Sequence, residues 1–132
     1  MIIGFGADLC DIRRIAAALE RRGDLFAARL FTQQERAYCD AKAARAGAYA
    51  KRFAAKEACA KALGTGFRNG LDFRHIGVVN DDLGAPRLKL TAAAAARLAA
   101  ITPNGQRAVL HLTLSDEEPY AQALVLIEAL PC

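Results

Sequence analysis

The segment Tyr49 to Leu63 carries a carboxylate and an ammonium at helical spacing. At about 100° per residue, a helix brings Phe53, Glu57 and Lys61 onto one narrow stripe. Ala54, Ala58 and Ala62 form the adjacent stripe, small enough to let a strand backbone come close. A second carboxylate, Asp8, stands late in an apolar stretch beside Gly6 and Ala7, where burial without a partner is costly. Packing of the alanine stripe on that stretch would make Asp8 and Glu57 converge. Facing carboxylates repel unless a cation or a proton lies between them. Oxygen-only ligands suit Mg²⁺, which keeps several waters and takes the rest of its shell from phosphate groups. Lys61 would then be the nearest cation for a phosphate on that metal.

Spacing alone leaves a plainer reading open. Glu57 followed by Lys61 is also the favourable order for a solvated ion pair, worth about 0.3–0.5 kcal/mol. Asp8 also precedes a helix start, where an acid is favoured, although Asp11 already fills the cap position. The loop Gly64-Thr65-Gly66-Phe67-Arg68-Asn69-Gly70 is not read as a nucleotide loop. It leaves a helix instead of opening one, and its glycine spacing matches neither dinucleotide nor P-loop motifs. His111 falls in a strand, with no defensible serine–histidine–acid arrangement. Arg13, Arg14, Arg21 and Arg22 crowd the first helix, and Arg14 and Arg21 share a face. A solvated face and a dock for an acidic protein helix both fit them. Nucleic acid fits less well, because no exposed aromatics interleave and no binding motif is present.

The elements that must hold these groups follow from pattern. Ile2–Leu9 reads as a buried strand and Asp11–Arg22 as a helix capped by Asp11 and ended by Gly23. A short helical turn covers 24–30. Thr32-Gln33-Gln34-Glu35 is a capping box opening a helix to about Ala46, broken by Gly47. Tyr49–Leu63 is the strongest helix, with Gly64 at its exit. Strands are expected at 76–79 and 86–90, an alanine-rich helix from Thr91 to about Ile101, and two more strands at 107–115 and 120–130. The expected fold is α+β: about five mostly antiparallel strands against about four helices.

With 132 residues, one domain spanning 1–132 is expected. Apolar residues make up 54 %, much of it alanine, and the net charge of +4 favours an anionic partner without choosing one. Cys10, Cys39, Cys59 and Cys132 show no zinc or redox spacing, as expected of reduced thiols in a cytoplasmic protein. The apolar start is too short for a signal peptide and no stretch reaches membrane-spanning length, so no membrane partner is expected.

Three segments in this order resemble the phosphopantetheinyl transferases, in the short holo-(acyl carrier protein) synthase branch. They are Gly4-Phe5-Gly6-Ala7-Asp8 continuing to Arg14-Ile15, then Arg52-Phe53-Ala54-Ala55-Lys56-Glu57-Ala58-Cys59-Ala60-Lys61-Ala62-Leu63-Gly64-Thr65-Gly66, then His111-Leu112-Thr113-Leu114-Ser115-Asp116 with Tyr120-Ala121. Smaller matches at Phe31-Thr32, Glu35, Asn69-Gly70-Leu71 and Asn80 to Pro86 fill the gaps. The middle segment is very specific; the first alone is weak. Many family members have histidine where this chain has Asp116, and no role is assigned to that position.

The resemblance implies the transfer of 4′-phosphopantetheine from coenzyme A to a serine of an acidic acyl carrier protein, for fatty acid biosynthesis. It implies Mg²⁺ on Asp8 and Glu57, with Lys61 at the phosphate and Glu57 and Lys61 as the catalytic pair. The proton acceptor is either Glu57 or a carboxylate of the partner. Arg52, Lys61, Gly64, Pro86 and His111 would bind coenzyme A, and Arg14 and Arg21 would dock the carrier. A homotrimer with the coenzyme pocket at its interfaces is implied as well. The competing readings are a Mg²⁺-dependent hydrolase of small nucleotide diphosphates and a basic nucleic-acid-binding module. Paired Asp8 and Glu57 argue against the latter, because they repel phosphate backbones.

Overall fold

The computed structural model describes residues 1–132. Strand β1 (Ile2–Asp11) runs directly into helix α1 (Ile12–Arg22), whose first turn is capped by the Asp11 carboxylate accepting from the Arg13 backbone N–H at 2.9 Å. Gly23, at φ +54°, turns the chain into α2 (Asp24–Leu30). The capping box opens α3 (Gln33–Asp40): the Thr32 hydroxyl accepts from the Glu35 N–H, and Glu35 accepts from the Thr32 N–H. Helix α4 (Arg45–Ala62) follows, then a 3₁₀ turn (Phe73–His75), the hairpin β2 (Ile76–Asn80) and β3 (Pro86–Leu90), and α5 (Ala92–Ile101). Strands β4 (Gln106–Glu117) and β5 (Tyr120–Pro131) close the chain. No helix is long and apolar enough to cross a membrane.

Two helix boundaries differ from expectation. The helix opened at Thr32 stops at Asp40 instead of Ala46, because the Asp40 carboxylate accepts from Arg45 Nε and Tyr49 Oη, both at 2.8 Å. Those two bonds bring the next helix back against the last turn of α3. Gly47 does not break a helix; it is buried in the first turn of α4. A Cβ there would stand 3.7 Å from the Asp116 carboxylate. The turn at 24–30 is a full helix, so five α-helices are present.

The five strands are all antiparallel and form two sheets, β1-β5-β4 and β2-β3. Alanines 54, 58 and 62 of α4 are buried together with Ala121, Ala123, Val125 and Ile127 of β5 in one core. Small residues on both surfaces set the spacing. A Cβ on Gly6 would collide with the Ala58 carbonyl oxygen and stand 2.8 Å from the Ala62 nitrogen, so β1 lies backbone to backbone on α4. Larger anchors sit at the α3–α4 side, where Phe31 and Tyr49 meet edge to face at 4.8 Å.

The other face of the three-stranded sheet is uncovered. Phe5, Leu126 and His111 lie in one cross-strand row, and Phe5 and Leu9 are 59 % and 63 % exposed.

Candidate active site

Close packing of β1 on α4 decides where the charged side chains meet. The Lys61 ammonium donates to Asp8 Oδ1 at 3.1 Å and to the Ala7 carbonyl at 2.9 Å. Asp8 is largely covered, its side chain 15 % accessible, whereas Lys61 is half exposed at 53 %. One helical turn before Lys61, burial holds the Glu57 carboxyl above the usual glutamate range, and the Asp8 charge pushes it further the same way. Lys61 and Arg14 act in the opposite direction. The structure therefore brings Asp8, Glu57 and Lys61 into one electrostatic cluster, with Arg14 at its border.

The donor set fits a hard divalent cation. The two carboxylates supply oxygen, Cys10 beside them is a buried thiol held protonated by burial, and Oδ2 of Asp8 makes no hydrogen bond within the chain. No group of three or more metal-type side chains exists, so the chain itself offers no closed cage. Such a pair suits an ion that keeps water and borrows phosphate oxygens, as Mg²⁺ does. Like-charge repulsion at Glu57 is the local cost that a cation between the two acids would offset.

The remaining site residues of the sequence analysis divide between two places. Gly64 lies at the exit of α4, beside Lys61. Arg52 and Pro86 line a different cavity, of about 240 Å³, together with Lys51, Asn80 and β4 residues Leu112 to Leu114. Arg52 is 2 % exposed, donates to Asn80 Oδ1 at 2.8 Å and stacks on the Tyr38 ring at 4.0 Å. His111 is not in this cavity; it faces out from β4 and pairs with Glu128 at 3.1 Å. Asp8 is on β1 and the Arg52 cavity is on β4, and these are opposite edges of one sheet.

Arg14 and Arg21 are both exposed on α1, and neither joins an ion pair within the chain. Asp116 lies 3.8 Å from Lys51, near the start of α4. Sequence reasoning missed a groove of about 780 Å³ beside α2, lined by Arg22, Leu25, Phe26, Arg29, Leu30 and Arg74. Its signal was present: Leu25 and Phe26 between basic residues on a short helix. The three buried cysteines are inert, with burial pushing Cys10 and Cys39 up to about 11 and Cys59 up to about 12.

The family model described as "4'-phosphopantetheinyl transferase superfamily" matches residues 4–123. The chain belongs to the 4′-phosphopantetheinyl transferase superfamily. Among transferase relatives, it is 63 % identical over 131 residues to the holo-[acyl-carrier-protein] synthase of Methylobacterium nodulans, covering 99 % of each chain. It is 56 % identical to that of Caulobacter vibrioides, covering 99 % of this chain and 98 % of the relative. Among solved structures, the Neisseria meningitidis synthase matches with a TM-score of 0.84 and 38 % identity, over 97 % of this chain and 99 % of the other. A synthase–coenzyme A complex from Chronobacterium ammoniagenes matches with a TM-score of 0.80 and 30 % identity, over 94 % and 95 %.

Proposed function

We propose that this chain is a holo-(acyl carrier protein) synthase that moves 4′-phosphopantetheine from coenzyme A to a serine of an acidic apo carrier. The observation that carries this reading is the Asp8–Lys61 contact beside Glu57, on the strand and helix that hold the transferase motifs. Asp8 and Glu57 would hold Mg²⁺, which offsets negative charge on a diphosphate when bound.

The chain's own groups then have defined tasks. Lys61 presents a point charge to the diphosphate while its bond to Asp8 fixes its direction. Glu57, beside the reacting phosphate, or a carboxylate of the carrier would take the serine proton. The serine oxygen forms a bond to the pantetheine-bearing phosphorus. The phosphorus–oxygen bond to the nucleotide breaks, and adenosine 3′,5′-bisphosphate leaves with that electron pair. No covalent enzyme intermediate is required, so positioning and charge carry the rate. Mass spectrometry of an apo carrier after incubation with the protein, coenzyme A and Mg²⁺ tests this directly. Bisphosphate release without modification of the carrier would instead mark a hydrolase.

Arg14 borders the cluster and Arg21 is exposed on the same helix, which suits an acidic helical partner. Arg14→Glu should raise KM for the carrier on the order of 10-fold at low salt and spare that for coenzyme A. Carrier kinetics unchanged across a salt series would remove α1 from the docking surface.

A homotrimer accounts for the division of the coenzyme residues. Arg52, Pro86 and His111 sit away from Asp8 in one chain, and a neighbouring copy would supply them across the uncovered sheet face. Such assembly makes complementation possible. Asp8→Asn and Arg52→Ala variants, each nearly inactive, should regain activity when unfolded together and refolded as a mixture. Failure to regain any, with both variants folded, would place the whole site in a single chain. Cytoplasmic location and a fatty-acid carrier are part of the same proposal.

A further inference from the structure

Three consecutive residues of β1 meet the Lys61 side chain at both of its ends. At the tip, the ammonium donates to the Ala7 carbonyl at 2.9 Å and to Asp8 Oδ1 at 3.1 Å. At the root, a Cβ on Gly6 would stand only 3.0 Å from the Lys61 Cβ. The same Cβ would collide with the Ala58 carbonyl oxygen and stand 2.8 Å from the Ala62 nitrogen, both backbone atoms that cannot swing aside. Position 6 therefore has room for no side chain, and the room it leaves is taken by the stem of Lys61 and the backbone of α4.

The two-residue period of the strand makes this contact a lever on the site. Gly4, Gly6 and Asp8 are more covered than Phe5, Ala7 and Leu9, so the first three share the face turned to α4. A Cβ on Gly4 would meet the Ala62 carbonyl oxygen, and one on Gly6 that of Ala58. Two strand residues rise about 6.6 Å and four helical residues about 6 Å, so each step of two along β1 matches one turn of α4. One further step carries Asp8 onto the turn from Ala54 to Ala58, which includes Glu57. Whatever sets the height of β1 above α4 at Gly6 also sets how far Asp8 and Lys61 must reach to meet.

We propose that Gly6 is a positioning residue for the transfer: the space at its missing side chain lets Lys61 lie against β1 and fixes the reach of its ammonium to Asp8. This inference rests on the transferase reading and adds to it a residue that touches no substrate. A methyl group at position 6 either lifts β1 from α4 at that level or turns the Lys61 stem away. Both movements part the ammonium from Asp8. Gly4 is the internal comparison. Its Cβ would press on α4 backbone in the same way, but the atoms nearest it belong to Ala62 and Ile127, not to Lys61.

Gly6→Ala and Gly4→Ala are compared with the unmodified protein by steady-state kinetics with coenzyme A, apo carrier and Mg²⁺. Mn²⁺ binding in the presence of coenzyme A, read from the loss of its free-ion EPR signal, is the readout apart from turnover. Melting temperatures report the packing cost that the two substitutions share. Gly6→Ala should lower kcat on the order of 100-fold, as a displacement of about 1 Å can. It should weaken Mn²⁺ binding on the order of 10-fold, the usual effect of disturbing what orients a metal ligand. Gly4→Ala should lose as much melting temperature yet keep both quantities within about fivefold of the unmodified protein's. Equal losses of kcat and Mn²⁺ binding in the two variants would mark packing alone and overturn the proposal, as would a Gly6→Ala protein unchanged in both. Should Gly6→Ala not fold, NMR of the unmodified protein decides. A stem held against β1 requires a Gly6 Hα to Lys61 Hβ Overhauser contact and two inequivalent Lys61 ε protons, and averaged ε protons overturn the proposal. Turnover by the unmodified protein is the control: its absence would sink the transferase reading itself, and its presence with an insensitive Gly6→Ala would sink only this inference.

Discussion

Asp8→Asn should lower turnover of coenzyme A by on the order of 100-fold or more at millimolar Mg²⁺, with the melting temperature little changed. The amide keeps the shape of the side chain and still accepts a hydrogen bond from Lys61. What it loses is the charge that makes the pair with Glu57 attractive to a divalent cation. Raising Mg²⁺ should recover part of the loss, since Glu57 remains. A second readout does not depend on catalysis. In the metal-free protein, Glu57 holds its proton above the usual glutamate range because of burial first and the Asp8 charge second. Removing that charge should move the Glu57 titration downward, as followed by carboxyl-carbon NMR, while the burial effect keeps it somewhat raised. Adding Mg²⁺ to the unmodified protein should move the same titration down as well, because a cation favours the ionised acid. Full activity of Asp8→Asn at ordinary Mg²⁺, or a Glu57 titration indifferent to the substitution, would end the shared-ion reading.

This cluster was legible in the sequence because two simple periodicities produce it. Helical spacing put Glu57 and Lys61 on one stripe beside Ala54, Ala58 and Ala62, and a strand with Gly6 could lie against those alanines. Local chemistry also carried the starts of α1 and α3, where Asp11 and the Thr32–Glu35 capping box act within a few residues. What was not legible depends on tertiary bonds or strand order. The end of α3 is set by Asp40 receiving Arg45 and Tyr49, which no periodicity announces. The separation of Arg52 and Pro86 from Asp8 follows from β5 lying between β1 and β4, and nothing in the strands' own patterns orders them that way. Arg97 is the one charge in α5, and only the docking of that helix on the end of α4 gives it a neighbour, the Leu63 carbonyl.

Lys56 is the clearest case of a residue hidden inside a motif, and its replacement should have the largest effect on stability. Neighbour to Glu57 in sequence, it points the other way. Its ammonium is fully buried and donates to Glu35 Oε1 at 2.7 Å, to the Ile76 carbonyl at 2.6 Å and to the Phe73 carbonyl at 3.0 Å. Glu35 is equally buried and accepts from the Thr32 and Val78 backbone N–H groups as well. One ion pair therefore ties α4 to the start of α3, to β2 and to the 3₁₀ turn. Burial pulls the Lys56 ammonium below its ordinary range, and Glu35 opposes that pull, so the pair is held by its hydrogen bonds against a desolvation cost. Lys56→Met fills much of the same volume but leaves a buried carboxylate without its cation and the Ile76 carbonyl without the ammonium, while the Phe73 carbonyl keeps the Ile76 N–H. Equilibrium urea unfolding should show a loss of about 3–5 kcal/mol, a large share of the roughly 5–15 kcal/mol a domain holds in total. Adding Glu35→Gln to that variant removes the stranded charge while an amide oxygen still accepts from a backbone N–H. The double variant should therefore be more stable than Lys56→Met alone, a non-additivity that separates charge from packing. A loss below about 1 kcal/mol for Lys56→Met, or a double variant weaker than the single one, would mean that the pair contributes packing and little else.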